Sequence, residues 1–438
     1  MKVSEKREFV GEFYLPRNPG HKIPGTLKIG LNGEVHLETS GNFRPLPLNQ
    51  NQWNIPLING NVADVERVTL LDCCYKSVTY GGPAKTTPIA VRYALCGLDV
   101  EYKNKDEIKF DSFRFSVEHL NKWLGFVGVN HTGHPKEGMT IDYVLPKDVQ
   151  IKLSDGIEIK FTFYAEWNSP HADGIKINQD ARIDITSEQP RSLFYWTELV
   201  DKINSFLCMA LDEVVCIKDV EVPKCGNRGA IQIYYQPFIH AEKSGKWNAT
   251  RSLCRFFDIE KNFPAILNRW IETYELTRPT YFLYLSCKLD GVRYIENMFL
   301  SLVQALENLY EVAYALYGWS ESEKEEKLKS KLEKLIFTFE DLIPHDQIAM
   351  WNAIIEDVRA VRNYLTHYSK TASKFKEKAE NPEIVYSLYK KLEVIIQLHF
   401  LKQIGFDNRE IENRLKTKAF GLESEFRGPC HGEIKEAK

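Results

Sequence analysis

The chain reads as an α+β protein of more than one domain, with an antiparallel β-rich N-terminal half followed by an all-helical C-terminal half. Three observations predict this. Up to about residue 190, short stretches of alternating apolar and polar residues are separated by Gly, Pro, Asn and Asp, the pattern of half-buried strands. From about Pro264 onward the apolar residues recur at helical spacing over long stretches. The length of 438 residues allows two or three domains, each with its own core.

Taken in order, residues 25–39 hold two alternating runs joined at Asn32-Gly33, a strong hairpin signal. Further strand runs are expected at Val68–Tyr75, Val91–Tyr102, Ile108–Val117, Thr140–Leu145, Val149–Leu153 and Ile157–Ala165, which together suggest an antiparallel sandwich or barrel-like domain. Ser192–Val215 is the first convincing helix, and Ala230–Phe238 looks like one more strand. Residues 298–317 carry Phe299, Leu302, Val303, Leu306, Tyr310 and Ala313 on one stripe, as a core-facing helix does. Ser320 with Glu323 is a capping-box signature for a charged helix running to about Leu342. Pro344 opens the next helix, Pro382 another that runs to about Ile404, and Asp407 caps a short final one. This divides the chain into a β-rich domain over 1–190, a mixed connecting region over 191–285 and a helical domain over 286–438.

The net charge of −3 excludes a generally basic nucleic-acid binder, so any nucleic acid must be met by a local positive surface. Nine cysteines, an odd number without a C-x-x-C pair, read as reduced thiols. The charged start Met-Lys-Val-Ser-Glu-Lys-Arg-Glu lacks the apolar core of a secretory signal, and no run of about 18 apolar residues follows. A cytoplasmic protein without membrane contact is expected.

The most informative segment is Arg362-Asn-Tyr-Leu-Thr-His367. On a helix at about 100° per residue, Arg359, Arg362, Asn363, Thr366 and His367 fall within an arc of roughly 140°. Ile354, Val361, Tyr364, Leu365 and Tyr368 occupy the other side, so one face packs and the other presents chemistry. Asn363 and His367 are an i,i+4 pair, and Arg362 is one step around. An imidazole exchanges protons near neutral pH, and a guanidinium binds phosphate and stabilises charge growing on its oxygens.

Spacing alone does not single this segment out. With eleven histidines, roughly one Arg followed by His at four to six residues is expected by chance. Arg114 with His119 is such a match, in a strand-rich region that argues for a structural role. Arg17-Asn18 with His21 is a near miss with a proline between. His131 and His134 form H-x-x-H without a nearby third ligand, so no metal site is expected. Ser244-Gly245-Lys246 lacks the upstream glycine of a phosphate-binding loop. Tyr234, Tyr235, Phe282 and Tyr284 read as core rather than as base-stacking platforms. Lys370, Lys374, Lys376 and Lys378, diluted by Glu377 and Glu380, read as a solvated face.

What separates Arg362 from Arg114 is the Asn that follows it, the two-faced helix and the helical domain around it. Here the chain resembles the HEPN superfamily, whose ribonucleases carry Arg, a polar residue and a His on a late helix of a small bundle. With the strand-rich N-terminal half and the run Phe299–Leu309, it looks more specifically like the ApeA-like HEPN proteins of bacterial anti-phage defence. The resemblance implies a β-rich sensing or regulatory domain before an all-α HEPN bundle. It implies an endoribonuclease of an abortive-infection system in which Arg362, Asn363 and His367 form the catalytic motif. Glu307 resembles a recurrent acidic position on an early HEPN helix, at the rim of the apolar stripe, where it would pair with Arg362 or His367. Family members with a tyrosine two residues after the His use it as a modification target; Ser369 stands there.

The expected chemistry is attack by the RNA 2′-OH, which needs neither metal nor cofactor and leaves DNA intact. The expected partners are RNA, with transfer RNA loops as the leading guess, a phage-derived trigger, and a second copy of the chain whose motif completes a composite site. The rival reading is a non-catalytic sensor or RNA-binding adaptor whose bundle serves dimerisation.

Overall fold

A computed structural model describes residues 6–31, 33–44, 49, 53–63, 65–77, 86–134, 136–168, 176–224, 226, 229–239, 252–289, 294–319, 327–367, 373–416 and 422–428. The chain divides into two compact units, Met1–Leu207 with Val215–Ser244, and Cys208–Val214 with Gly245–Lys438.

The first unit is built on strands β1 (Arg7–Leu15), β2 (Asn18–Ile29), β3 (Val35–Thr39), β4 (Asn54–Val62), β5 (Glu66–Tyr75), β6 (Thr87–Val91), β7 (Tyr93–Cys96) and β8 (Lys109–Val117). After helix α1 (Leu120–Leu124) come β9 (Val129–His134), β10 (Gly138–Tyr143), β11 (Val149–Lys152), β12 (Ile157–Trp167) and β13 (Ile177–Ser192). Helix α2 (Leu193–Leu211) and strands β14 (Ile217–Pro223) and β15 (Ala230–Tyr235) complete the series. All pairings are antiparallel, as expected. β1 pairs with both β2 and β4, β2 with β3, β3 with β6, β6 with β5, and β5 with β4, which closes a six-stranded barrel. Inward residues such as Phe13, Leu27, Leu37, Ile58, Leu70 and Ile89 are fully buried in it. Phe13 lies opposite Gly60, where a Cβ would come within 2.5 Å of the Phe13 ring; only glycine lets that ring fill the barrel.

The expected hairpin forms between β2 and β3, closed by Gly30 N–H donating to the Glu34 carbonyl at 2.7 Å. Gly33 supplies the left-handed backbone there at φ +73°, while Asn32 lies outside the described residues. From β5 the sheet continues through β7, β15, β14, β8, β13 and β12 to β11. Within 191–285, the stretch expected to connect two halves, β14 and β15 thus sit inside the sheet between β8 and β7. α2 is anchored to this sheet by Trp196, whose ring stacks on Phe113 at 5.6 Å and whose Nε1–H donates to the Phe110 carbonyl at 2.9 Å.

The second unit contains α3 (Phe256–Ile259), α4 (Phe263–Ser286), α5 (Ile295–Tyr317), α6 (Leu328–Phe337), α7 (Ile348–His367), α8 (Ser373–Ala379), α9 (Pro382–Gln403), α10 (Asn408–Lys416) and α11 (Leu422–Arg427). The proposed cap at Ser320 lies outside the described residues. Pro344 precedes a 3-10 turn, His345–Gln347, that leads into α7. Asp407 caps α10 reciprocally with Glu410, at 2.8 Å in both directions, and α11 follows in the segment read as polar tail. α9 is buried almost all round, which marks the central helix of a bundle; α4, α5, α7, α8, α10 and α11 pack against it or its neighbours.

Burying α9 requires its polar residues to find partners. His399 is fully buried, bonded through Nδ1 to Tyr317 Oη at 2.9 Å and through Nε2 to the Leu335 carbonyl at 3.1 Å. The tautomer follows: Nε2 donates and Nδ1 accepts. Burial pushes its pKa down to about 3, keeping it neutral. Glu393 accepts from Lys288 at 2.9 Å and also pairs with Lys390. Lys288 reaches Asp212 at 2.8 Å, and Gln397 donates to Asp212 at 3.1 Å and to Tyr284 Oη at 2.9 Å. Burial opposes charge on Glu393, yet Lys288 and Lys390 outweigh it and pull its pKa down to about 2.

Candidate active site

α7 is two-faced because its apolar residues recur every three to four positions. Trp351, Ile354, Ile355, Val358, Val361 and Tyr364 are buried, while Asn363, Thr366 and His367 are exposed and Arg359 and Arg362 are half-buried. Leu365, expected on the packed side, is half-buried, and Tyr368 lies outside the described residues. His367 is the last residue of α7. A cation at that end would interact favourably with the helix dipole.

α5 brings Glu307 to the same place. Its stripe of Leu302, Val303, Leu306, Leu309 and Tyr310 is buried, leaving Glu307 at the rim, where its Oε2 stands 3.7 Å from Arg362 Nη2. Of the two partners open to Glu307, the structure pairs it with Arg362. Arg362 Nη1 also donates to Asn363 Oδ1 at 3.4 Å. Among the described residues no hydrogen bond joins Asn363 to His367, so Asn363 here steadies the guanidinium rather than the imidazole. Thr366 turns its hydroxyl back to the Arg362 carbonyl at 2.8 Å.

Just past the motif, α8 is tied to α7. Lys378 donates to both oxygens of Asp357 at 2.8 Å, and Tyr364 Oη donates to Glu380 at 2.8 Å. Lys378 is thus occupied in packing, and Lys376 stands 3.9 Å from Glu380. Lys370 and the Lys374 side chain lie outside the described residues. The chemical group of the site is therefore one guanidinium, one amide and one accessible imidazole, with a carboxylate set back against the guanidinium. The donor set suits an anion with a labile proton nearby, which describes a phosphodiester flanked by a hydroxyl.

The competing matches resolve differently. Arg114 bridges strands, with Nε 2.5 Å from Asp184 and Nη1 3.2 Å from Glu221, while His119 adopts φ +62° at the start of α1; the pair serves the sheet. Arg17 lies in the β1–β2 turn and His21 on β2, both exposed. His131 and His134 lie three apart on β9, so they point to opposite faces of a strand and cannot converge on one ion. Among the described residues no group of three His, Cys, Asp or Glu side chains is arranged to hold a metal. Tyr234 and Tyr235 are buried, and Tyr284 belongs to the internal polar network. No described helix is long and apolar enough to cross a membrane.

A cluster beside the motif went unread in the sequence. Glu356 Oε2 accepts from Arg359 Nε at 3.0 Å and Nη2 at 2.7 Å, and Lys329 of α6 reaches its other oxygen at 2.7 Å. Lys329, with Arg359 behind it, holds the Glu356 carboxyl below the usual carboxylate range. Glu356 and Arg359 are visible as an i,i+3 pair; nothing in the sequence announces Lys329.

Two family models match the chain. The model for ApeA N-terminal domain 1 covers residues 8–270, more than half of the chain, and the model for Apea-like HEPN covers residues 300–410. The chain belongs to the ApeA family. The N-terminal match of this ApeA protein covers the strands of the first unit from the second residue of β1 onward. The HEPN match contains Glu307, Arg362, Asn363 and His367. Its HEPN domain places it with the anti-phage HEPN nucleases, a class whose domains often dimerise and bind RNA. No curated protein and no solved structure matches this ApeA protein.

Proposed function

We propose that the chain is a metal-independent endoribonuclease of an abortive-infection system, with Arg362, Asn363 and His367 as its catalytic group. The observation that carries this reading is the half-exposed Arg362 guanidinium, held by Glu307 and Asn363 beside an exposed His367 at the end of α7. The nucleophile comes from the substrate: the RNA 2′-OH attacks its own phosphorus, its proton passes to a base, and the 5′-oxygen leaves with a proton. His367 serves in that proton transfer. Arg362 binds the phosphate and stabilises charge on its oxygens, with Asn363 steadying it. The products are a cyclic phosphate and a 5′-hydroxyl.

One motif helix offers a single Arg and a single His, and acid and base are both required. A two-fold pair of chains facing each other across this helix supplies two of each, so the working form is a homodimer. The substrate is a single-stranded loop, whose backbone reaches in-line geometry; a transfer RNA loop is the first to test. The N-terminal domain senses a phage-derived trigger and releases the nuclease.

The test is incubation of the intact protein with total RNA and with DNA of matching sequence, beside His367→Ala and Arg362→Ala, with and without EDTA. Cleavage of RNA alone, insensitive to EDTA and lost in both variants, is expected. Equal cleavage by all three proteins would remove these residues from the chemistry. RNA bound but never cut by the wild type would make the chain a non-catalytic adaptor.

A further inference from the structure

Arg359 lies one turn before Arg362 on α7, about 4.5 Å along the axis and about 60° around it. Its guanidinium is gripped on one edge. Glu356 Oε2 takes Nε and Nη2, and among the described residues Nη1 has no hydrogen-bond partner. The side chain is 43% exposed, against 14% for Lys288 in the buried network, so a polyanion can reach it.

The arrangement has two parts with different consequences. Lys329 to Glu356 joins α6 to α7 and is a tie between helices, with Glu333 also 3.7 Å from Lys329. Arg359 to Glu356 joins two residues of one helix, so it links no second element and is worth only a few tenths of a kcal/mol to the helix. Its effect is on Arg359 itself. A long, rotamer-rich side chain rooted on the face that carries Arg362 and His367 is fixed by its Nε edge, which lowers the ordering cost of binding an anion there. A planar fork of donors is the group that suits a phosphate.

We infer that Arg359 is a second phosphate-binding residue for the RNA substrate, taking the backbone phosphate adjacent to the one at Arg362 and His367, with Glu356 as its positioning residue. The inference rests on the ribonuclease reading. It assigns the RNA strand a direction of travel, along α7 toward its N-terminal end.

The experiment measures kcat, KM and the salt dependence of RNA binding for the full chain on a single-stranded RNA that the wild type cleaves. Arg359→Ala is expected to raise KM about fivefold, the effect of one exposed charge contact, with kcat changing far less. The slope of log affinity against log salt should flatten by about 0.7, the share of one single-strand phosphate. Glu356→Ala should raise KM in the wild-type background and add nothing in Arg359→Ala, while Glu356→Gln, which still accepts from the guanidinium, restores it. Lys329→Ala breaks the helix tie without touching Arg359 and should leave KM and slope in place. An unchanged KM and slope in Arg359→Ala would overturn the inference, as would Lys329→Ala reproducing its effect. If the wild type cleaves, Arg362→Ala fails and Arg359→Ala matches wild type, the second subsite alone is lost. A wild type that neither binds nor cuts RNA overturns the ribonuclease reading as well.

Discussion

Glu307 Oε2 and Arg362 Nη2 stand 3.7 Å apart, each side chain 29% exposed, where α5 and α7 meet. That separation is an ion pair without a tight hydrogen bond. Such a tether aims the guanidinium and still lets it turn to a phosphate. Glu307→Ala should therefore change stability by no more than about 1 kcal/mol and slow RNA cleavage by about 10- to 100-fold through misplacement of Arg362. Denaturant unfolding beside a cleavage assay checks both; a variant cutting at the wild-type rate would reduce Glu307 to a surface charge.

Arg114 and Arg362 provide an internal comparison. Arg114 is embedded between Asp184 and Glu221 on neighbouring strands, so Arg114→Ala should cost about 2–3 kcal/mol by removing the cation these two half-buried carboxylates share, which leaves Asp184 to Thr162 and Arg182 and Glu221 to Gln232. Cleavage per folded molecule should be unaffected. Arg362→Ala should do the reverse, costing under about 1 kcal/mol and lowering kcat at least about 100-fold. Stability and activity measured on both variants decide the matter.

Lys288 sits between Asp212 and Glu393 inside the helical unit. Lys288→Met removes the cation shared by two buried carboxylates, leaving Asp212 to Gln397 and Tyr284 and Glu393 to Lys390, and should destabilise that unit by about 3–5 kcal/mol. Thermal unfolding should show the loss in the transition of the helical unit; a Tm within 1–2 degrees of wild type, roughly 1 kcal/mol or less for a unit of this size, would mean the network is slack.

His399 predicts a pH effect of known sign. Its folded pKa of about 3 lies below the unfolded value of about 6.5, so the unfolded chain takes up the proton first as pH falls. Stability from the neutral imidazole is complete above about pH 6.5 and declines by about 1.4 kcal/mol per unit below it, until the folded pKa is reached. Glu393, with its folded pKa depressed, is lost only below its own ordinary range near 4.5. Burial raises the Asp201 carboxyl to about 7, so that group favours the folded state increasingly as pH falls over the same interval, and the share of His399 is read as a difference between wild type and a His399 variant from pH 7 to pH 5. Over that range the wild type should lose about 2 kcal/mol relative to His399→Gln, which can still donate to Leu335 and accept from Tyr317; equal changes in denaturant midpoint would remove His399 as the cause.

Much of this was legible along the chain because it depends on local periodicity. The alternation at Val68–Tyr75 and Ile157–Ala165 and the stripe from Phe299 to Ala313 each report which side of one element meets a core. The motif was legible for the same reason: Arg362, Asn363 and His367 share a face through helical geometry alone. β13 and β14 escaped notice because mixed runs such as Asn178-Gln-Asp-Ala-Arg182 draw their pairing from neighbouring strands rather than from their own pattern.

The sequence by itself determined the class of the two halves, the two-faced helix and the identity of the chemical groups, since each follows from residue order within one element. Only the tertiary structure decided that six strands close into a barrel, that Glu307 meets Arg362 and not His367, that Asn363 serves the guanidinium, and that Lys329 braces Glu356. Those are meetings of residues far apart in the chain, and their partners are chosen by how helices and strands pack, a quantity that no single stretch of sequence contains.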